Sequence, residues 1–199
     1  MTRHRNRNAP DNEPATSSRR SLVTGIAAMA MTAAASGATP TASDSDLARR
    51  VRRLEDIEEI RRLRNLYHYF VNEKLSARFA ELYVSGGVMS MDKSIRWEGV
   101  PAIVAGFTEL SGRVTLLKQF SHNHQVEIGV DTASAFSYFE ASYAIEGKSL
   151  RVAGKYDEDY VRTAAGWRIR HTAVSLIYSV PPDVGWAGEN LNYFNKGRP

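Results

Sequence analysis

The chain contains no cysteine. A disulfide framework, a thiolate nucleophile, an iron–sulfur cluster and a cysteine-ligated zinc site are therefore excluded. Three other signatures are also missing from the sequence: a glycine-rich phosphate loop, a Gly-x-Ser-x-Gly elbow and a His-Glu-x-x-His zinc helix. We therefore expect no cofactor and no metal ion, and any chemistry has to come from the chain's own side chains.

The excess of positive charge is small and unevenly distributed. The 199 residues carry a formal charge of +4, with a pI of about 9.4. Residues 1–42 hold five Arg and two acids, a net of +3, whereas the remainder holds 21 basic and 20 acidic residues, a net of +1. The nearly neutral charge of residues 43–199 gives no strong reason to expect binding to nucleic acid, and we expect no nucleic-acid partner.

Residues 1–42 are typical of an export signal. Arg19-Arg20 precedes an apolar run, Leu22–Ala35, which ends in the small residues Ser36-Gly37-Ala38. Fourteen helical residues span ~21 Å, short of the ~30 Å of a hydrocarbon core, which disfavours the alternative of an uncleaved membrane anchor. We predict that a disordered N-terminal region and a twin-arginine signal peptide are removed by cleavage after Ala38. We expect the mature protein to be periplasmic or extracellular and to have no stable membrane anchor.

Two further segments follow, a domain over residues 43–180 and an irregular tail over 181–199. Apolar residues at steps of three and four predict a long helix from Leu47 to Val71. Next we predict a short helix over Ser76–Val84, which Gly86-Gly87 ends. Two short strands follow at Val88–Met91 and Ile95–Trp97, and a further helix begins near Pro101.

The second half of the domain changes to a strand pattern. Four runs rich in Val, Ile, Tyr and Phe are separated by short turns, which predicts an antiparallel meander. The fold class is therefore α+β, with a curved antiparallel sheet wrapped around the N-terminal helices, and such a sheet can enclose a pocket. The four predicted strands are Phe120–Val130, Ala133–Ile145, Leu150–Arg162 and Trp167–Val180.

This order of elements resembles the SnoaL-like branch of the cone-shaped nuclear transport factor two superfamily, over roughly residues 45–178. The resemblance implies a cone with a central pocket, and activities in the family that include dehydratases, isomerases, polyketide cyclases and epoxide hydrolases. The matching stretches are Ile57-x-x-Ile60-x-x-Leu63, Tyr67-x-x-x-x-Asn72, Gly99-x-x-Ala102-Ile103, Asn123-x-x-Val126-Glu127-Ile128, Gly154-Lys155-Tyr156-x-Glu158-x-Tyr160 and Gly166-Trp167-Arg168-Ile169.

The family's usual acid–base pair is replaced in this sequence. Relatives commonly carry an Asp five residues after the helical Tyr, where this chain has Asn72. The catalytic His that often precedes the Asn-x-x-Val-Glu-Ile stretch corresponds to Gln119. An amide exchanges no proton near neutral pH, so both positions lack acid–base capacity.

Four other titratable residues are candidate catalytic groups. In an unbulged strand Phe120, His122 and His124 share the inner face, whereas a bulge would bring one or other His inward. His171 follows Trp167 and Ile169 on one face of the last strand. Many relatives have an acidic residue at the position that Glu158 occupies in this sequence. The predicted catalytic residues are His122, His124, Glu158 and His171, each with a structural role as the alternative.

Aromatic residues are abundant for a small domain, which favours an apolar ligand over a sugar or a phosphate. Most of them must fill the core, so each assignment to the pocket competes with a packing role. The predicted substrate-binding residues are Tyr67, Asn72, Trp97, Phe107, Phe120, Asn123, Tyr143, Tyr156 and Trp167.

Two functions remain open from the sequence. The first is a cofactor-independent isomerase, dehydratase or cyclase acting on a small hydrophobic, polyketide- or steroid-like molecule. The second is a non-catalytic module that binds a hydrophobic ligand or a partner with the same cone. A homodimer is expected from the resemblance, through an outer sheet face that includes Ser134, Phe136, Tyr138 and Ser142.

Overall fold

A computed structural model describes residues 42–92, 94–187 and 191. The predicted leader and its cleavage site therefore lie outside the described residues, apart from position 42, as does most of the tail beyond Trp186. The elements are α1 (Ala42–Asn72), a 3₁₀ turn (Ser76–Glu81), β1 (Tyr83–Met91), β2 (Ile95–Glu98), α2 (Val100–Arg113), β3 (Val114–Ile128), β4 (Thr132–Ile145), β5 (Lys148–Thr163) and β6 (Gly166–Val180).

All six strands form one sheet in the order β2-β1-β6-β5-β4-β3. The α+β class, the N-terminal helices and the antiparallel meander are confirmed. One pairing is parallel, however, because β1 lies beside β6 and runs in the same direction. This contact joins the first hairpin to the meander, so the hairpin and the meander are parts of one continuous sheet.

Two boundary predictions are wrong. The Ser76–Val84 segment is a short 3₁₀ turn that ends at Glu81, and Gly86-Gly87 lies inside β1. β3 begins at Val114, six residues before the predicted start, and follows α2 directly. Sheet pairing determines both starts, since β1 pairs with β2 and β6 and β3 pairs with β4 over nearly its whole length.

From Asp56 onward one face of α1 is buried against the sheet, and a hydrogen-bonded contact fixes the helix to β6. The indole Nε1 of Trp167 donates to Asp56 Oδ1 at 3.0 Å, and its backbone N–H donates to Glu59 Oε1 at 2.9 Å. Gly166 has φ of 91°, and a Cβ there would lie 2.2 Å from that Glu59 oxygen. The Gly-Trp pair is therefore required for this close approach of helix and strand.

The helix α2 closes the other side of the cone against β1 and β2. Phe107 stacks on Phe79 with ring centroids 3.8 Å apart and meets the ring of Trp97 edge-on at 5.3 Å. A Cβ on Gly106 would come within 2.1 Å of the Trp97 indole, so glycine is needed for the indole to pack on the helix. Among the described residues, no helix is long and apolar enough to cross a membrane.

Candidate functional site

The cone encloses a cavity of about 260 Å³ between α2, the β1–β2 hairpin and the inner face of the sheet. Its walls are largely apolar, which suits a small hydrophobic molecule. Charged and polar groups, including Asp92, Glu109 and Arg113, also line it. The apolar and aromatic wall residues are Met91, Ile95, Trp97, Leu110, Phe139, Tyr143, Ile145, Val152, Tyr156, Val174 and Leu176.

Gln119 and Tyr156 provide buried polar groups in the cavity wall. Both side chains are at most 3% exposed, and Gln119 Nε2 donates to the Tyr156 hydroxyl oxygen at 2.6 Å. Side-chain hydrogen bonds from Tyr67 and Arg64 also act on the Tyr156 hydroxyl, which keeps its own hydrogen to donate. Burial raises the pKa of Tyr156, and the nearby Arg64 charge offsets part of that rise, so Tyr156 is a neutral donor at physiological pH.

Asn72 contacts the strand that carries Gln119. Its Nδ2 donates to the Gln119 carbonyl at 2.9 Å, and its Oδ1 accepts from the Gln119 backbone N–H at 2.7 Å. The side-chain amide thus pairs with the strand much as a neighbouring peptide group would. The two positions at which the resemblance implies an acid–base pair are in contact here, and both hold amides.

Arg64 lies behind the Tyr156 side of the cavity and is 1% exposed. Its guanidinium carbon lies 3.7 Å from the Tyr156 ring centroid and 4.2 Å from that of Tyr67, so the cation is held between two aromatic faces. Its Nη1 donates to Glu158 Oε1 at 2.5 Å. Burial opposes the charge, but Glu158 raises the pKa of Arg64 above its usual value, so Arg64 stays ionised.

Glu158 has a hydrogen-bond partner at both carboxylate oxygens. Oε1 accepts from Arg64 and from Thr172 Oγ1 at 3.3 Å, and Oε2 accepts from the Tyr160 hydroxyl at 2.7 Å. Thr172 accepts in turn from the Tyr83 hydroxyl at 2.7 Å. These contacts describe a closed ion-pair network in which Glu158 is not a free acid; its predicted catalytic role stays a prediction.

His68 stands one helical turn beyond Arg64 and is 7% exposed. Its Nε2 accepts from Arg64 Nε at 3.1 Å, which leaves the ring proton on Nδ1. Burial, with the nearby charge of Arg64, lowers the pKa of His68 to about 2, so the imidazole is neutral. Nδ1 has no hydrogen-bond partner among the described residues.

A bulge in β3 decides which histidines face inward. The register with β4 shifts between His122 and Gln125, and Asn123 has φ of 54°. Phe120, 61% exposed, and His122 therefore lie on the outer face, so their predicted inward orientation is wrong. His124 alternates with the inner residues Val126 and Ile128 and is half-buried. Burial lowers its pKa to about 4, against the opposing effect of Glu158.

The inward orientation predicted for His171 is also wrong. The β5–β6 register shifts between Asp159 and Tyr160, after which Thr172 rather than His171 faces the interior. His171 Nε2 lies 3.1 Å from Ser90 Oγ, and its Nδ1 lies 4.0 Å from Asp159. It therefore does not share the cavity with Tyr156.

The predicted substrate-binding residues divide into two groups. Trp97, Tyr143 and Tyr156 line the cavity. The others lie elsewhere: Tyr67, Phe107 and Trp167 are buried in packing contacts, Asn72 binds backbone, Phe120 is exposed, and exposed Asn123 forms the bulge.

The sequence-based candidates omitted Arg64 and His68. Both occur on the buried face of α1, since Arg64 follows Ile60 by four residues and His68 follows Arg64 by four. A polar, titratable residue within an apolar helical stripe is the signal that would have identified them. In the part of the chain that the structure describes, no group of three or more His, Asp or Glu residues could hold a metal ion.

Comparison with known proteins gives the family. A model of the SnoaL-like domain matches residues 52–173. No curated protein matches the sequence.

Solved structures share the fold. An NTF2-like protein with a cystatin-like fold from Novosphingobium aromaticivorans is 26% identical, with 69% of this chain and 90% of that chain covered and a TM-score of 0.57. Hexachlorocyclohexane dehydrochlorinase LinA-type3 from Novosphingobium barchaimii is 15% identical, with 70% of this chain and 96% of that chain covered and a TM-score of 0.63. The Kfla4162 protein from Kribbella flavida is 20% identical, with 63% of this chain and 93% of that chain covered and a TM-score of 0.59.

Proposed function

The chain belongs to the SnoaL-like domain family, and from that premise we propose that it binds a small, largely apolar molecule inside the cone. The observation that carries the proposal is the cavity of about 260 Å³ with apolar walls and a buried Gln119–Tyr156 pair. The apolar body of the ligand would contact the aromatic walls, and one oxygen of the ligand would accept a hydrogen bond from Tyr156.

The cavity also limits the ligand's size. Sites for drug-sized molecules typically measure about 300–1,000 Å³, so about 260 Å³ favours a molecule of one or two rings. A carbonyl or hydroxyl oxygen suits the Tyr156 donor, because the charge of nearby Arg64 is already balanced by Glu158. We therefore favour a neutral ketone, quinone or phenol over a highly charged ligand in the cone.

A cofactor-independent isomerase or lyase is the second candidate, and one contact favours it. Tyr156 lines the cavity, and its ring lies 3.7 Å from the Arg64 guanidinium carbon. A donor in such an electrostatic environment stabilises negative charge that develops on a substrate oxygen. Asn72 and Gln119 count against this candidate, because they replace the acid–base pair that the family resemblance implies for moving the proton. Binding without turnover is therefore the function that we propose first.

Occupancy of the cone can be tested with a pair of adjacent substitutions. Leu176 lines the cavity, whereas Ile177 next to it is 51% exposed and is not among the lining residues. Binding of 2-acetonaphthone is measured by isothermal titration calorimetry to the full chain, to Leu176→Trp and to Ile177→Trp. We expect Leu176→Trp to lose at least about tenfold in affinity because the indole fills the cavity.

Ile177→Trp is the matched control and should bind as the unchanged chain does. Equal binding by all three proteins would contradict occupancy of the cone. Failure of all three to bind a panel of one- and two-ring ketones, quinones and phenols would also contradict the proposal. Turnover of any panel member, lost in Tyr156→Phe, would favour the second candidate.

We also propose that this binding takes place outside the cytoplasm. The support is the Arg19-Arg20 pair with the apolar run that follows it. Replacing both arginines by lysine should retain the protein in the cytoplasm of a host with a twin-arginine pathway, as measured by fractionation. Unchanged export of that variant would contradict this route.

A further inference from the structure

The outer face of the sheet carries a serine, a histidine and an aspartate in contact across neighbouring strands. Ser90 Oγ lies 3.1 Å from His171 Nε2, and His171 Nδ1 lies 4.0 Å from Asp159 Oδ2. The serine is on β1, the histidine on β6 and the aspartate on β5, which are adjacent in the sheet. This is the order of a nucleophile, its base and the acid that orients the base, an arrangement that is recognised by geometry and not by sequence position.

The strand register holds the three side chains on one face. His171 pairs with Asp159 on β5 and with Val88 on β1, and Ser90 follows Val88 by two residues. Residues two apart on a strand point to the same side of the sheet, so Ser90 lies on the face that carries His171. The register shift that turns Thr172 inward therefore also brings His171 beside Ser90.

The contacts of His171 suit a base for the Ser90 hydroxyl. The negative charge of Asp159 favours the ring proton on Nδ1, which leaves Nε2 to accept from Ser90. The 4.0 Å contact is longer than a hydrogen bond, and Arg170 lies 3.8 Å from the same Asp159 oxygen. Asp159 thus acts on the histidine as a nearby charge, and the Ser90–His171 contact is the primary one.

A groove of about 350 Å³ runs along the outer face beside these residues. His171 and Asp159 line this outer groove, as does Ala173, which is the β6 partner of Ser90. Half-buried Ser90 therefore stands where the outer groove reaches β1. The ring of Phe136 lines it further along and offers an apolar contact to a small molecule.

The charges of the outer groove disfavour an anionic substrate. Glu127, Asp157 and Asp159 all line it, whereas the basic groups beside them are Lys155, 2.6 Å from Asp157, and Arg170, 3.8 Å from Asp159. The acids are in excess, so a phosphate ester or a second carboxylate would be repelled. A neutral or cationic carboxylic ester brings its acyl carbon to the serine without a negative charge.

We propose that Ser90, His171 and Asp159 form an acyl-transfer site that hydrolyses neutral or cationic esters of small carboxylic acids. The Ser90 Oγ bonds to the ester carbonyl carbon while its proton passes to His171 Nε2. The tetrahedral intermediate then loses the alcohol oxygen, which takes that proton and leaves as the alcohol. Water attacks the acyl group on Ser90 in the same way, which releases the carboxylic acid and restores the serine hydroxyl.

Two neighbouring groups assist this reaction. Asp159 is a positioning residue that orients the His171 ring. Arg96 pairs with Ser90 across β1 and β2, and directly paired side chains share a face with Cβ atoms about 4.5–5.5 Å apart. Its positive charge is therefore available to the carbonyl oxygen that becomes negative. The site goes beyond the binding proposed for the cone and does not rest on it, because it lies on the opposite face of the sheet.

Labelling of the full chain with diisopropyl fluorophosphate tests the site. The phosphorus of this reagent bonds to an activated serine oxygen and fluoride leaves, and peptide mass spectrometry locates the label. We expect a single label, on Ser90. His171→Gln should slow labelling at least about a hundredfold because it removes the base. Ser134→Ala, which removes another serine of the outer groove, is the matched control and should label as the unchanged chain does.

Two further measurements separate chemistry from folding. Asp159→Asn should slow labelling by a smaller factor than His171→Gln, and Asp159→Glu should restore part of the rate, a rescue that a purely structural role would not give. The unchanged chain should release about one equivalent of 4-nitrophenol in a burst from 4-nitrophenyl acetate as the acyl group is transferred to Ser90. Ser90→Ala should show no burst.

Several results would overturn the site. They are the absence of label from Ser90, labelling of Ser90 at an unchanged rate in His171→Gln, and a burst that persists in Ser90→Ala. A second copy of the chain that covers Ser134 and Phe136 would also overturn it, since the substrate needs the outer groove open; a dimer has to use another surface. Leu176→Trp, whose cone is filled, should keep both label and burst, whereas their loss there would place the reaction in the cone.

Discussion

At the residue scale, the Arg64–Glu158 pair is the main departure from an apolar interior. Both side chains are at most 3% exposed, and desolvating them costs several kcal/mol per ion before their attraction is gained. The Tyr67 and Tyr156 rings and the Tyr160 and Thr172 hydroxyls surround the pair. Such a network is sensitive to loss of one partner, since the other charge would remain buried and unpaired.

Replacing Glu158 by Gln tests this sensitivity. The variant retains an acceptor oxygen but leaves Arg64 without a counter-charge, so we expect a loss of about 3–5 kcal/mol in the free energy of unfolding, measured with urea. The double variant Arg64→Leu/Glu158→Leu removes both charges and should lose less than Glu158→Gln alone. A double variant at least as unstable as the single one would contradict this account of the pair.

His68 predicts a dependence of stability on pH. Its pKa is about 2 in the folded protein, against about 6.5 when unfolded, so the unfolded state binds more protons below pH 6.5. Stability should therefore fall as the pH decreases from about 6.5 toward 2. Between pH 7 and pH 5 the contribution of His68 is a loss of about 2 kcal/mol.

The matched variants are His68→Gln, which keeps an acceptor for Arg64 Nε without titrating, and His122→Gln on the outer face. Urea unfolding at pH 7 and pH 5 should show about 2 kcal/mol less pH dependence in His68→Gln than in the unchanged chain. His122→Gln should keep the full dependence of the unchanged chain. Equal pH dependence in all three proteins would argue against a buried neutral His68.

At the element scale, two bulges determine which side chains reach the interior. The shift in β3 turns His124 inward and leaves His122 outside, and the shift in β6 exchanges His171 for Thr172. A strict period of two instead predicts both His122 and His124 on the inner face of β3 and His171 on the inner face of β6, because it allows for no extra residue that would invert the later side chains. Asn is tolerated at φ of 54° far better than a β-branched residue, which is why position 123 can hold the first bulge.

Substitutions of Asn123 test the strain at that bulge. Asn123→Gly keeps access to positive φ and should change the free energy of unfolding little. Asn123→Val has to adopt a left-handed conformation and should cost about 1–2 kcal/mol relative to Asn123→Gly. Urea unfolding of the two variants measures the difference. Equal stability would show that position 123 does not need positive φ in solution.

At the scale of the whole molecule, the sequence predicts the architecture better than the site. The periodicity of α1, the α+β order and the SnoaL-like resemblance are confirmed. The parallel pairing of β1 with β6 and the bulges depend on tertiary contacts that no local pattern contains. Trp97, Tyr143 and Tyr156 line the cavity, and their predicted role in substrate binding stays a prediction. Trp167 instead donates to Asp56, a contact between residues 111 positions apart.

The central claim is that the cone holds a small apolar molecule with its oxygen at Tyr156. A crystal structure of the protein grown with 2-acetonaphthone tests it most directly. The account predicts density for the naphthalene rings between Trp97 and Leu176, with the ketone oxygen within hydrogen-bonding distance of the Tyr156 hydroxyl. Density for the probe only outside the cone, or side chains closed over an empty cavity at saturating probe, would contradict it.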